Sequence, residues 1–294
     1  VSLPTGPWGA WSSGLRLRER AAAVEAAAAL EEAGCSALWM TGGLSDPFER
    51  VADLLGATSR VTVATGILSI WTMSPDEVAT GVQSLPDADR HRFLLGLGVS
   101  HAQLVDRGAA GRYRRPLTQL RTYLDGLDAT GPVTVGRHSR VLAALGPKML
   151  ELAATRAAGA HPYLTTVDHT ADARRILGPD PFLAPTQMVV LDANPDTART
   201  VARRHLAMYL GQPNYVNSWL RLGFTEDDAA DGGSDRLVDA LVMWGDPERV
   251  AARLREHLAA GADHVAVQML DREAGWQEQP LPVADWQRLF AALH

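Results

Sequence analysis

Position 101 is a histidine that closes the run Gly96-Leu97-Gly98-Val99-Ser100-His101, where an apolar stretch gives way to small residues. A histidine so placed can give or take a proton near neutral pH. A hydrogen-bonded rim histidine is the competing reading. A second run, Gly146-Pro147-Lys148-Met149, puts glycine at a strand end, proline at the first helical position and lysine in the first turn. The N–H groups of a helix N-terminus carry partial positive charge and Lys148 adds a full one, which together could cradle a dianion. A surface lysine in a tight turn is the alternative. Lys148 is the only lysine among 28 basic residues, which makes its retention conspicuous.

Other strand ends add neutral groups. Trp39 and Thr41 follow one apolar run, and Gly66-Ile67 through Trp71 follow the next. Ser100 precedes His101, Tyr163 and Thr165 follow a later run, and Gln268 ends the last one. Glycines, hydroxyls and aromatics with few charges suit a flat, partly apolar ring better than a sugar or a free metal ion. Trp8, Trp11, Trp39 and Trp71 read as pocket wall, with plain core packing as the alternative. Gly96-Leu97-Gly98 is no dinucleotide fingerprint, because His101 stands where the third glycine belongs. The chain has no HExxH, no GxxxxGK[ST] and no paired-carboxylate signature, and no metal site is expected.

These residues need elements to hold them. Asp46-Pro47, Ser74-Pro75, Asn194-Pro195 and Asp246-Pro247 each place an oxygen-bearing cap before a proline, which announces a helix start. Ser74 with Glu77 adds a capping box. Ala33-Gly34, Ala158-Gly159 and Ala260-Gly261 read as helix ends at a left-handed glycine, each followed by a short apolar strand. Strands are expected at Ala37–Met40, Val61–Thr65, Phe93–Leu97, Val141–Leu145, His161–Thr165, Thr186–Leu191 and His264–Leu270, with a weaker one at Trp8–Trp11. They are continuous apolar runs, as parallel strands covered on both faces should be. Eight strands with intervening helices over 294 residues predict a single α/β domain, residues 1–294, closed as a (β/α)8 TIM barrel. The active site then lies where strands end. Arg107–Arg115 and Thr225–Asp235 read as polar surface loops.

Composition narrows the function. A net charge of -6 argues against a nucleic-acid partner, which needs a clustered basic excess. The single cysteine, Cys35, excludes an intrachain disulfide and a cysteine-based zinc site, and reads as a buried inert thiol. No apolar run approaches a membrane span and no leader pattern opens the chain, so the expectation is a cytoplasmic protein acting on a small molecule.

Several stretches together resemble the luciferase-like monooxygenase superfamily, in particular its oxidoreductases that use the deazaflavin coenzyme F420. They are Val63–Ile67 through Ser74-Pro75, Phe93–His101, Ala144–Ala153 and Trp244–Val250. The resemblance implies a bacterial-luciferase-like barrel and a non-proline cis peptide at Gly66–Ile67 backing the cofactor ring, with Gly98 and Ser100 beside it. It implies a phosphate site at Gly146, Pro147, Lys148 and Met149 with hydroxyls near Tyr163–Thr166. His101 stands where several relatives carry a glutamate proton donor, and is expected to act as acid/base or to polarise substrate. Hydride transfer to or from a small organic substrate with F420 is the implied reaction. FMN with oxygen chemistry, a non-catalytic cofactor- or partner-binding barrel, and a phosphate-binding barrel lyase are the alternatives; a homodimer is possible. Two departures stand out: Thr41-Gly42-Gly43 replaces a His or Asp-His pair common after the second strand, and Asp89-Arg90-His91-Arg92-Phe93 replaces Ser-Gly-Gly-Arg-Phe.

Overall fold

The computed structural model describes residues 3–43, 45–107, 111–130, 135–273 and 280–294. Residues 108–110 of the expected Arg107–Arg115 loop lie outside them. The apolar runs become strands β1 (Trp8–Trp11), β2 (Ala37–Met40), β3 (Thr62–Thr65), β4 (Leu68–Ser69), β5 (Phe93–Gly98) and β6 (Arg140–Leu142). β7 (Gly159–Ala160), β8 (Phe182–Leu183), β9 (Thr186–Val190), β10 (Val242–Trp244) and β11 (Val265–Met269) follow. They form one curled parallel sheet in the order β10-β9-β11-β1-β2-β3-β5-β6-β7-β8, with β4 on β5.

Alternation along the strands divides the core into two faces. Trp11, Ala37, Trp39, Ala64, Leu94, Val141, Phe182 and Ala266 pack together on the concave face. Trp8, Leu38, Val63, Leu95, Leu142 and Val267 pack against helix residues such as Leu30, Val51 and Leu54 on the other.

Expected and observed strands differ where proline intervenes. β7, Gly159–Ala160, ends just before the expected strand His161–Thr165, where Pro162 has no N–H for the ladder. Only Tyr163 beyond it bridges to Thr186. Pro185 likewise separates β8 from β9. Even so, the N–H groups of Phe182, Ala184 and Thr186 donate to the carbonyls of Ala158, Ala160 and Pro162 at 2.8–2.9 Å, and those of Asp263 and Ala266 donate to Leu183 and Pro185 at 2.9 Å. The segment 182–190 is thus hydrogen-bonded along both edges.

Caps behave as their chemistry demands. Ser74 and Glu77 form the reciprocal box, Asn194 accepts from the N–H groups of Asp196 and Thr197, and Asp246 accepts from Arg249. Gly34 and Gly261 are left-handed with φ of 91° and 101°. Gly159 is not such a terminator. It lies in β7, and a Cβ there would stand 1.7 Å from the carbonyl oxygen of Phe182. Thr225–Asp235 is also more ordered than expected, since Thr225 caps a turn of helix at Glu226–Ala229 and Ser234 caps Asp235–Leu241.

Within Asp89–Phe93, Arg92, the arginine shared with Ser-Gly-Gly-Arg-Phe, has a structural role. Arg92 is buried and donates to the carbonyls of Val61, Leu55 and Thr58, to the Thr58 hydroxyl and to Asp89, all within 2.7–3.1 Å. One planar fork gathers carbonyls that would otherwise be stranded under β3 and β5. Arg92→Ala should cost about 3 kcal/mol in urea unfolding, and Arg92→Lys should recover less than half of it.

Candidate active site

The turn after β3 brings the backbone of three strands together. The Gly66–Ile67 peptide is cis, and the Trp11 indole N–H donates to the Gly66 carbonyl at 3.0 Å. Ile67 leans over β5, its side chain 2.7 Å from where a Cβ of Gly98 would be. A Cβ on Gly96 would meet the Thr65 carbonyl oxygen at 1.9 Å, so both glycines are needed for close approach. The Gly42 N–H donates to the Ile67 carbonyl at 3.3 Å, and a Cβ there would fall 2.5 Å from that oxygen. This contact explains why Thr41-Gly42-Gly43 holds no histidine at its centre. Thr41 follows β2, with its hydroxyl accepting from the Gly43 N–H at 3.4 Å.

From there an aromatic chain crosses the C-terminal end of the sheet. Trp11 lies 6.0 Å from Tyr163, which lies 5.6 Å from Tyr209 and 6.3 Å from Tyr215. Tyr209 and Tyr215 in turn contact His101 at 6.4 and 5.5 Å. His101 is half-buried; burial pushes its pKa below the ordinary value, against the opposing effect of a hydrogen bond that its ring donates to Asn214. It is therefore neutral at pH 7 and able to act as a base. Burial raises the pKa values of Tyr163, Tyr209 and Tyr215, which stay phenols and so hydrogen-bond donors. Ser100, in the left-handed region at φ 58°, turns the chain toward His101 and accepts from the Tyr113 hydroxyl at 3.4 Å. Trp71 stands beside this wall, donating to the Val99 carbonyl at 2.7 Å and lying 6.2 Å from Tyr113.

Three buried polar atoms around this mouth have no protein partner: His101 Nδ1, Thr165 Oγ1 and Gln268 Oε1. Gln268 also borders a cleft with Trp11, Ser12, Ser13, His205 and Pro280. Buried polar groups are rarely left unpaired, so such atoms are the sort a ligand's polar edge would satisfy. They fit a heterocycle that carries both donors and acceptors. At the Gly146 turn, the Met149 N–H is already bonded to the Gly146 carbonyl at 3.0 Å and Met149 packs against the main core. Pro147 has no N–H, so the N–H groups of Gly146 and Lys148 and the exposed Lys148 ammonium remain to face an anion. Arg221, which sequence reasoning did not single out, reaches within 3.7 Å of where a Gly146 Cβ would be.

Two expected wall residues lie elsewhere. Trp8 faces the helices within the main core. Trp39 is fully buried on the concave face, stacked on His161 at 4.0 Å and donating its indole N–H to His264 Nε2 at 3.1 Å. Both follow from alternation, which turns Trp8 to the helix side and sets Trp39 one layer below the mouth. Trp11, also expected as wall, lies against Gly66 and Tyr163; the residues not singled out were Tyr209, Tyr215 and Trp219. Tyr215 and Trp219 are four apart on the helix Pro213–Arg221, a spacing legible in the sequence, but Gln212 is a weak helix cap and the region read as loop. Among the described residues no group of three or more His, Cys, Asp or Glu could hold a metal ion. No described helix is long and apolar enough to cross a membrane.

A curled parallel sheet of this order, with helices packed on its outer face, is a barrel-type α/β architecture. The chain belongs to the luciferase-like monooxygenase family, whose pattern it matches over residues 2–264. It is 26% identical to a provisionally named coenzyme F420-dependent oxidoreductase of Mycobacterium tuberculosis, across 83% of this chain and 89% of that one. The fold is similar to the coenzyme F420-dependent tetrahydromethanopterin reductase of Methanopyrus kandleri, with a TM-score of 0.74 at 17% identity over 98% of this chain and 99% of that one. It is also similar to the FMN-bound oxygenating constituent of 3,6-diketocamphane monooxygenase from Pseudomonas putida, with a TM-score of 0.65 at 14% identity over 97% and 96% of the two chains.

Proposed function

We propose that this chain is a single-domain, F420-dependent oxidoreductase that moves hydride to or from a small organic substrate at the mouth of a closed (β/α)8 barrel. The observation that carries it is the set of partnerless buried atoms of His101 and Thr165, beyond the ends of β5 and β7, and of Gln268, near the end of β11. Closure of the barrel is supported by segment 182–190, bonded to β7 on one edge and to β11 on the other. The F420 assignment is supported by the curated mycobacterial relative.

Bound deazaflavin supplies a carbon hydride donor and acceptor in place of flavin N5. The chain's own residues do the rest. Gly66–Ile67 and Gly98 form a flat backbone surface for a ring, and Ser100 places the imidazole at its edge. Thr165 and Gln268 offer hydrogen bonds to the ring's polar margin. Lys148, beside a helix N-terminus, holds an anionic tail. His101, neutral at pH 7, takes the proton released when a substrate alcohol is oxidised and returns it in the reverse direction.

A second reading, FMN with oxygen chemistry, is favoured by the FMN-bound neighbour. Equilibrium titration of the purified protein with each cofactor separates the two. The expected result is F420 binding at least tenfold tighter than FMN. Tight FMN binding without F420 affinity would overturn the assignment.

A further inference from the structure

We infer that the arginine-rich turn after β5 is a receptor for a carboxylate on the substrate, so that the small organic molecule acted on at the mouth is an anion. The inference rests on the mouth being the site of hydride transfer. Between residues 101 and 124 five arginines (Arg107, Arg112, Arg114, Arg115 and Arg121) stand against one acid, Asp106, in a chain whose net charge is -6. Asp106 is engaged locally, its Oδ1 accepting from the Tyr113 N–H at 2.8 Å. Elsewhere, arginines from Arg20 to Arg288 form ion pairs with aspartates. Among the described residues Arg107, Arg112, Arg114 and Arg115 form none, and all four are exposed. Charge of one sign gathered in this way raises the local concentration of the opposite ion.

The shape of the turn collects these charges. The Arg114 N–H donates to the Arg112 carbonyl at 2.9 Å, folding the chain tightly about Tyr113. The Arg114 guanidinium lies back over Gly111, its Nη2 3.0 Å from where a Cβ of that residue would be. Arg112 is fixed against the mouth: its Nη2 donates to the Trp71 carbonyl at 2.7 Å, and its guanidinium carbon lies 5.9 Å from the Trp71 ring centroid. Among the described residues its Nε and Nη1 have no hydrogen-bond partner, and they present the fork that a carboxylate matches. Directly behind, Pro116 opens the helix Pro116–Ala129 with no side-chain cap, so the helix dipole adds to the same field.

The turn stands beside the proton carrier. The Tyr113 hydroxyl donates to the carbonyl of Ser100, the residue before His101, and the Tyr113 ring lies 6.2 Å from Trp71. Guanidinium groups are thus combined with two half-buried rings, Trp71 and Tyr113. That combination suits a molecule with an apolar body and a carboxylate at one end, its reacting carbon turned toward His101. The carboxylate takes no part in the hydride transfer; the arginines concentrate the anion at the rim and fix one end of it.

Equilibrium dialysis with two probes of one body, 4-nitrobenzoate and 4-nitrobenzyl alcohol, tests this. At low salt the protein should retain the carboxylate about tenfold more strongly than the alcohol, and added salt should erase most of the difference. Equal retention of the two would overturn the inference. Arg112→Gln/Arg114→Gln/Arg115→Gln should lower retention of 4-nitrobenzoate to the level of the alcohol and leave the alcohol unchanged. These side chains are exposed, so the fold should tolerate the change, and Arg114→Gln/Arg115→Gln, which keeps the bond to Trp71, should give part of the same loss. Retention undiminished in the triple variant would place the anion elsewhere and sink the proposal. Saturating F420 should leave 4-nitrobenzoate bound; its displacement would assign the arginines to the acidic tail of the cofactor rather than to substrate. Should wild type bind neither F420 nor FMN, the ring-site reading falls, and the probe preference of the free protein alone decides whether the turn is a carboxylate receptor.

Discussion

His101→Ala should lower turnover by ~10^2- to 10^4-fold while changing F420 affinity less than threefold. The imidazole sits at the edge of the mouth rather than under it, in ring contact with Tyr209 and Tyr215 and with Nδ1 left without a protein partner. Its loss removes the proton carrier but not the backbone surface at Gly66–Ile67 or the charge at Lys148. The pH profile gives an independent check. Because burial holds the pKa below its ordinary value, the basic form persists as pH falls below 6.5, and activity limited by this base should decline only on the acid side of that point. A variant that keeps full turnover shows His101 to be a rim residue. Preserved binding with no turnover in the wild type as well would favour the non-catalytic barrel.

The second large effect is on stability. Three histidines are buried in their neutral forms. His161 donates from Nδ1 to the Ala184 carbonyl at 2.7 Å, His264 donates from Nδ1 to Gly6 at 2.9 Å, and His257 bridges Thr170 and Gln187 at 2.8 and 2.9 Å. Burial pushes their pKa values down to about 3 for His161 and about 4 for His257 and His264. In the unfolded chain each titrates near 6.5, so between these limits the unfolded state binds more protons. The stability they contribute is complete above pH 6.5 and is lost as pH falls toward 4. With three protons involved the slope approaches about 4 kcal/mol per pH unit near pH 5, a large share of the ~5–15 kcal/mol of a typical domain. Urea midpoints should therefore drop steeply between pH 6 and pH 4.5. A midpoint that stays flat across that interval would show these rings to be accessible or already charged.

How far the sequence carried the structure depended on local signals. Four proline-led helix starts and the apolar runs located most strands, because capping and burial act over a few residues. The helix start at Gly146-Pro147 and the end of β5 just before His101 were legible for the same reason. The limits were equally physical. Which face a tryptophan takes is decided by one residue of register, so Trp8 read as wall although it packs under the helices, while Trp39 shares the face of Trp11 but is fully buried. Gly159 carried the composition of a helix terminator but is demanded by the carbonyl of a strand more than twenty residues away. β10 follows directly on the helix Asp235–Leu241 with no turn residue to announce it. Tyr209, Tyr215 and Trp219 come to the strand ends because a long connection folds back over the sheet; the spacing of Tyr215 and Trp219 marks a helix face but not what that face meets.

The arginine-for-lysine bias of this chain leaves a single side-chain amine, and it stands exposed in the first turn after Gly146. An amine-selective acylating reagent consequently has one internal address on the molecule. A fluorophore attached there would sit at the rim beside Arg221, where arriving phosphate-bearing ligands and the neighbouring helix could both alter its emission.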